Sequence, residues 1–228
     1  MKHAGKARKA AFKLILISAI LIGVMLAIGL AAAFFGTIMI MVTPFVVGFW
    51  VIFALFTLYF FRDPSPRVPM GARLVVSPAH GKVDVVDTTT EPEFMGGEVQ
   101  RISIFLSVIN VHVQNAPVGG KVAKVKYTEG QFLNAMRTDC AAHNENVYLG
   151  FEAVEPAGQK VGVRLIAGAI ARRIVPFVAE GDEVCCGDRI SLIQFGSRAD
   201  VYLPRTANLK VKVGDKVVGG ETVLATFD

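Results

Sequence analysis

Ile193-Gln194-Phe195-Gly196-Ser197-Arg198-Ala199-Asp200-Val201-Tyr202-Leu203-Pro204 is a strand-like run interrupted by one Gly-Ser peptide. Branched and aromatic side chains on both sides suit extended backbone, and the glycine tolerates the angles of a tight bend. The same texture extends outward. Arg73–Val76, Lys82–Asp87, Arg101–Leu106, Lys121–Tyr127, Val147–Val154, Lys160–Ile166, Asp188–Phe195 and Asp200–Leu203 are short runs, many β-branched and bounded by Gly or Pro, and read as strands. Gln131–Met136 and Ile170–Val175 read as short helices or turns. Residues 73–228 are therefore predicted to be one compact, mainly β, antiparallel domain with a few short helices, and with Ser197 at a strand edge.

One repeat is visible inside it. Gly181-Asp182-Glu183-Val184 with Gly187 and Ile190 matches Gly214-Asp215-Lys216-Val217 with Gly220 and Val223. Glycines at fixed offsets make tight turns while the valines feed a narrow core. The pattern resembles hairpins of biotinyl- and lipoyl-type barrel-sandwich domains, without the Met-Lys-Met-like tip of a cofactor acceptor. It is read as shared β architecture.

Upstream, residues 14–61 contain no Asp, Glu, Lys or Arg, 48 positions in all. A membrane helix needs about 20, so the stretch predicts two transmembrane helices, turning near Gly36 and Thr37. A cleaved signal peptide has a far shorter apolar core. Residues 1–13 form a basic cytoplasmic N-terminus with Lys2, Lys6, Arg8, Lys9 and Lys13; Arg62, Arg67 and Arg73 follow the second span. Positive flanks stay on the cytoplasmic side, which predicts a cell (inner) membrane protein whose β domain faces the cytoplasm. Residues 62–72 form a Pro-rich connector.

The net charge of +5 comes from the first 13 residues, since 19 basic residues balance 19 acidic ones from Arg62 onward. The excess positive charge is thus an orientation signal and an attraction to anionic lipid headgroups, and nucleic acid is excluded as a partner. Cys140, Cys185 and Cys186 have no metal-ligand spacing and read as buried, reduced thiols.

A Gly-Ser bond in a tight bend is where a chain can cut itself. The serine hydroxyl attacks the glycine carbonyl, an ester replaces the amide, and β-elimination leaves a dehydroalanine that hydrolyses to an N-terminal pyruvoyl group. An isolated Gly-Ser is usually only a turn. Here it follows Phe60-Phe61-Arg62-Asp63-Pro64, Val76-Ser77-Pro78-Ala79-His80-Gly81-Lys82-Val83, Phe105-Leu106-Ser107-Val108-Ile109-Asn110-Val111-His112-Val113 and Ile166-Ala167-Gly168-Ala169-Ile170-Ala171-Arg172-Arg173-Ile174 in that order. The ordered set resembles the short prokaryotic form of phosphatidylserine decarboxylase over essentially the whole chain.

The resemblance implies cleavage between Gly196 and Ser197, giving a large chain, 1–196, and a small chain, 197–228, that stay associated. The pyruvoyl made from Ser197 would form a Schiff base with the amine of phosphatidylserine and draw electrons as carbon dioxide leaves. Phosphatidylethanolamine would be the product, with neither a metal nor pyridoxal phosphate required. His112 matches the family's acid-base histidine. His80 stands where the family usually has Asp, and as a neutral imidazole could itself act as a base; Asn115 stands where relatives carry His or Arg. His143-Asn144-Glu145-Asn146 reads as a polar turn near the site. Arg172, Arg173 and Arg198 are candidate ligands for a lipid phosphate, or solvated surface charges. Two non-catalytic readings remain: a processing-deficient lipid-binding relative, motivated by His80, and a membrane-tethered barrel-sandwich adaptor. The oligomeric state is left open, a homo-oligomer included.

Overall fold

The computed structural model describes residues 6–132, 143–168, 173–194 and 197–228; the side chains before Leu16 and that of Gln194 are not among those described. The chain divides into two compact units, Met1–Thr57 and Leu58–Asp228.

The first unit is helical, and α1 runs unbroken over Lys6–Phe60. The expected two helices with a turn at Gly36-Thr37 are not seen here; one helix spans both. No charge or strong breaker interrupts the apolar run there, and Thr37 turns its hydroxyl inward to the Ala33 carbonyl at 2.9 Å. The Thr37 hydroxyl is thereby satisfied within the helix and is not engaged in a turn. Pro44 is also accommodated within α1. Leu16–Phe60 is long and apolar enough to cross a membrane.

The second unit is mainly antiparallel β. Its strands are β1 (Leu74–Val76), β2 (Gly81–Glu91), β3 (Gly97–Leu106), β4 (Val113–Asn115), β5 (Gly120–Thr128), β6 (Asn146–Ala153), β7 (Lys160–Ala167), β8 (Arg173–Pro176), β9 (Glu183–Val184), β10 (Arg189–Gln194), β11 (Ser197–Pro204), β12 (Asn208–Leu209), β13 (Lys216–Val217) and β14 (Val223–Thr226). One eight-stranded sheet has the order β13-β2-β3-β11-β7-β6-β5-β9; β4-β10-β8 and β1-β14-β12 form two smaller sheets. All eight strands read from the sequence are present. The segment read as a short helix or turn at Ile170–Val175 instead contributes to β8, whose Ile174 is buried and pairs with Ile193. Residues 170–172 of it lie outside the described residues, as do 133–136 of the other segment read as a short helix or turn. Gln131 itself makes a bridge to Asn144.

The repeat builds two equivalent corners at the two ends of the large sheet. Gly181 and Gly214 have φ of +99° and +102°, and Gly187 and Gly220 have +85° and +72°. This left-handed region explains the glycines. In one corner the Ala179 amide donates to Asp182 Oδ2, and in the other the Lys212 amide donates to Asp215 Oδ2, at 2.8 and 2.9 Å. The Val122 amide then donates to the Asp182 carbonyl just as the Val83 amide donates to the Asp215 carbonyl. The partner strands are also repeated: Pro78-Ala79-His80-Gly81-Lys82-Val83 answers to Pro117-Val118-Gly119-Gly120-Lys121-Val122. His80 thus stands where the other corner has Gly119, and Gly219 where the other has Cys186.

Alternate residues of β2, β3, β5, β6, β7 and β11 fill one core, with Ile102, Ile104, Leu149, Phe151, Val163, Leu165, Ala199 and Val201 fully or nearly fully buried. The connector is extended and packs on this domain. The Arg67 amide donates to Glu221 Oε1 at 2.9 Å, and a Cβ on Gly220 would meet Pro66 at 2.6 Å.

Candidate functional site

Ser197 opens β11, which lies between β3 and β7 with Ser197 opposite both Leu106 and Ala167. The expectation of a strand edge is corrected: Ser197 sits at a strand end, but in the interior of the sheet. The period of two puts it on the core face with Ala199, Val201 and Leu203. It is fully buried, and its Oγ has no hydrogen-bond partner among the described residues. A buried hydroxyl without a partner costs free energy, so its retention calls for a reason other than stability. Gly196 lies outside the described residues.

The chain arrives at this junction through β10, and His112 is tied to β10 from the side. The Ile193 amide donates to the His112 carbonyl at 3.0 Å, and Leu192 pairs with Val113. The His112 ring is buried, stacks on Phe60 at 4.2 Å, and has Nδ1 2.9 Å from the Asn110 carbonyl. A carbonyl can only accept, so Nδ1 carries the proton and Nε2 the lone pair. Burial pushes its pKa down to about 4; the Asn110 carbonyl opposes this, and Arg62 and His80 add to it. His112 is therefore neutral at pH 7.

His80 is half-buried at the turn before β2, where burial and then Arg62 lower its pKa against the pull of Glu221. Its ring occupies the room left by Gly219, 3.0 Å from where a Cβ there would stand. Asn115 is buried beside it: its amide donates to the Pro78 carbonyl and its side chain to the Gly187 carbonyl. Gly81 is forced by close approach, since a Cβ would lie 2.3 Å from the Phe105 carbonyl oxygen.

Asn144 of the polar turn is buried and donates to the Ala167 carbonyl at 2.7 Å, and Ala167 is the residue opposite Ser197. Arg173 is exposed at the start of β8, opposite Gln194; Arg172 lies outside the described residues. Arg198 is only 2% exposed and binds Asp84 of β2 in a two-pronged pair at 2.9 and 2.5 Å. Two residues on, Asp200 takes a 2.5 Å hydrogen bond from Ser103 of β3. Cys185 is exposed and Cys186 half-buried, which corrects the reading of both as buried thiols; Cys140 lies outside the described residues.

Sequence reasoning missed Phe60, Asn110, Asp84 and Ser103. The charges of Arg198 and Asp200 within an otherwise apolar strand were the available signal, since such charges need partners when buried. Among the described residues no three His, Cys, Asp or Glu side chains gather as a metal site would require.

Fold and site together define a β-domain enzyme built around a strand headed by a buried serine. A profile of the family described as phosphatidylserine decarboxylase matches residues 53–225, and the chain belongs to that family, a family of decarboxylases made as proenzymes. It is 47% identical over 169 residues to the phosphatidylserine decarboxylase proenzyme of Desulfotalea psychrophila, covering 74% of this chain and 78% of that one. The proenzymes of Gluconobacter oxydans and Symbiobacterium thermophilum are 48% and 45% identical over 176 and 171 residues. These cover 76% and 75% of this chain and 77% and 79% of theirs.

Proposed function

We propose that this chain cuts itself between Gly196 and Ser197 and then decarboxylates phosphatidylserine to phosphatidylethanolamine and carbon dioxide. The observation that carries the reading is the unpartnered, fully buried Ser197 hydroxyl at the head of a central strand. On conversion the side chain becomes a methyl, smaller than the serine's and with no hydrogen bond to make, while the keto oxygen takes the place of the Ser197 nitrogen, so the buried position fits a pyruvoyl end.

In self-processing, Ser197 Oγ adds to the Gly196 carbonyl as the amide becomes an ester, its proton passing to a base. Elimination gives the Gly196 carboxylate and a dehydroalanine, which takes up water and loses ammonia. Neutral His112 suits the base, with Nδ1–H fixed and Nε2 presenting its lone pair. Neutral His80 is the second candidate. Burial protects the ester from water.

A pyruvoyl carbonyl supplies the electron sink that lets an α-carbon shed its carboxylate. This chain's side chains hold and move protons around it. His112 takes up the proton released as the substrate amine adds to the carbonyl and returns it to the product carbon, and Asn144 fixes the Ala167 backbone facing position 197. Arg173, with Arg172, is the candidate for the lipid phosphate, while Arg198 in this reading anchors β11 through Asp84.

The enzyme works on the cytoplasmic side of the cell membrane. At 1.5 Å per residue, Leu16–Phe60 would be roughly 70 Å long, against a hydrocarbon core of about 30 Å. Both basic flanks stay on one face if the helix folds back in the bilayer near Gly36-Thr37.

Intact mass, before and after incubation with phosphatidylserine in detergent, tests the proposal. Fragments 1–196 and 197–228, the second with a pyruvoyl end, together with ethanolamine lipid as product, are expected, while Ser197→Ala stays whole. A single uncut wild-type chain would overturn it and favour the processing-deficient lipid-binding reading that His80 motivates.

A further inference from the structure

Two adjacent exposed apolar side chains sit at the tip of a turn that is otherwise polar and closed by hydrogen bonds. Ile109 is 62% exposed and Val108 37%. The turn is closed by the Asn110 amide donating to the Ser107 carbonyl at 2.9 Å. Asn110 Oδ1 accepts from the Ser107 amide and hydroxyl at 2.9 and 2.7 Å. Tight turns favour Gly, Asn, Asp and Ser at their tips, so branched apolar residues here need another cause.

The neighbours supply it. The Ile109 carbonyl accepts from Arg62 at 2.7 Å and from the Tyr59 hydroxyl at 3.4 Å, and Arg62 lies over the Tyr59 ring at 3.9 Å. Tyr59 is the last residue but one of α1, and Arg62 is the first charge after the helix. An aromatic hydroxyl and a cation at this point mark the level of lipid headgroups. Tyr59 and Phe61 are themselves 50% and 39% exposed. The turn tip is therefore fastened to the spot where the chain leaves the bilayer, and its apolar side chains continue that surface.

We propose that Val108 and Ile109 insert into the bilayer interface as a wedge, seating the catalytic mouth on the lipid surface. The turn lies between Leu106, which faces Ser197, and His112, whose Nδ1 is held by the Asn110 carbonyl. Insertion thus docks both sides of the site at the depth of a phospholipid headgroup. The catalytic consequence rests on the proposed phospholipid reaction; the insertion itself does not.

The chain has one tryptophan, Trp50. The test moves the indole to the turn tip by Ile109→Trp in a Trp50→Phe background, full-length, in phosphatidylcholine vesicles containing phosphatidylserine. Bromines near the headgroup end of the acyl chains should quench the introduced indole strongly, and aqueous iodide weakly. Val108→Ser/Ile109→Ser should lower kcat/KM on vesicle phosphatidylserine about tenfold through KM, leaving kcat and turnover of monomeric short-chain phosphatidylserine unchanged. Iodide quenching without bromine quenching would overturn the wedge, as would equal losses on both substrates. Quenching needs no turnover, so lipid quenching in a chain that never cuts itself would sustain the wedge while the decarboxylase reading fails.

Discussion

His112 owes its proposed chemistry to its surroundings. Burial, Arg62 and His80 all disfavour the imidazolium, and the Asn110 carbonyl only partly opposes them. The folded pKa of about 4 lies below the ordinary 6.5, so the unfolded chain binds the extra proton between these values and stability falls as pH drops through that window. Self-cleavage by freshly made chain should accordingly hold its rate from neutral pH down to about 5 and fail only as pH nears the lowered pKa. A midpoint near 6.5, in a rapid-mixing pH series read by fragment formation, would mean an ordinary histidine. His112→Phe keeps a ring on Phe60 and should fold while losing roughly 10²–10⁴ in rate. His112 could be read from its motif, but its tautomer and pKa could not. They depend on Asn110 and Phe60, whose roles appear only when the chain is folded.

β11 is the element on which cleavage would act, because the proposed cut creates a new chain end at its first residue. Its fastening is cross-strand: Arg198 to Asp84 on β2 and Asp200 to Ser103 on β3. While the chain is whole, the covalent link to β10 also holds the start of β11; once cut, only cross-strand contacts hold it, the pairing with β3 and β7 and the Arg198–Asp84 pair. Asp84→Asn should therefore cost more in the cut enzyme than in an uncut Ser197→Ala background. Asp84 is about a third exposed, so the loss should be ~2–3 kcal/mol, below that of a fully buried pair. Urea unfolding of both forms checks this, and kcat should fall with KM steady. Equal losses in the two backgrounds, or a pure KM effect, would return Arg198 to headgroup binding. The long strands were legible because β-branched runs between glycines and prolines leave few alternatives. β9, β12 and β13 have two residues each, too few for strand periodicity, and are strands only because a neighbour offers an edge, although β9 and β13 lie within the Gly-Asp-x-Val repeat.

At the scale of the whole molecule, the uncharged 48-residue stretch was legible at once, yet its course was not. Backbone preference carries a helix through Gly36-Thr37, while a bilayer rewards a fold-back there. Single cysteines at Thr37 and Ala4, probed with an impermeant thiol reagent on intact spheroplasts in a background lacking the native cysteines, decide it. Labelling at 37 but not at 4 is the expected result; labelling at neither would place the middle of the helix within the membrane or on the inner side. Composition and periodicity alone determined a long uncharged apolar stretch of membrane-crossing length, a β domain behind it, two Gly-Asp-x-Val corners and a Gly-Ser junction, because these are local or repeated features of one chain. Tertiary structure alone decided that Ser197 is sealed inside a sheet and that Arg198 is bound to Asp84. It also decided that Gly219 makes room for His80 and that Ile109 is fastened to Tyr59 and Arg62. Each of these joins residues far apart in sequence, whose partners are chosen by packing and by the cost of leaving a buried polar group alone.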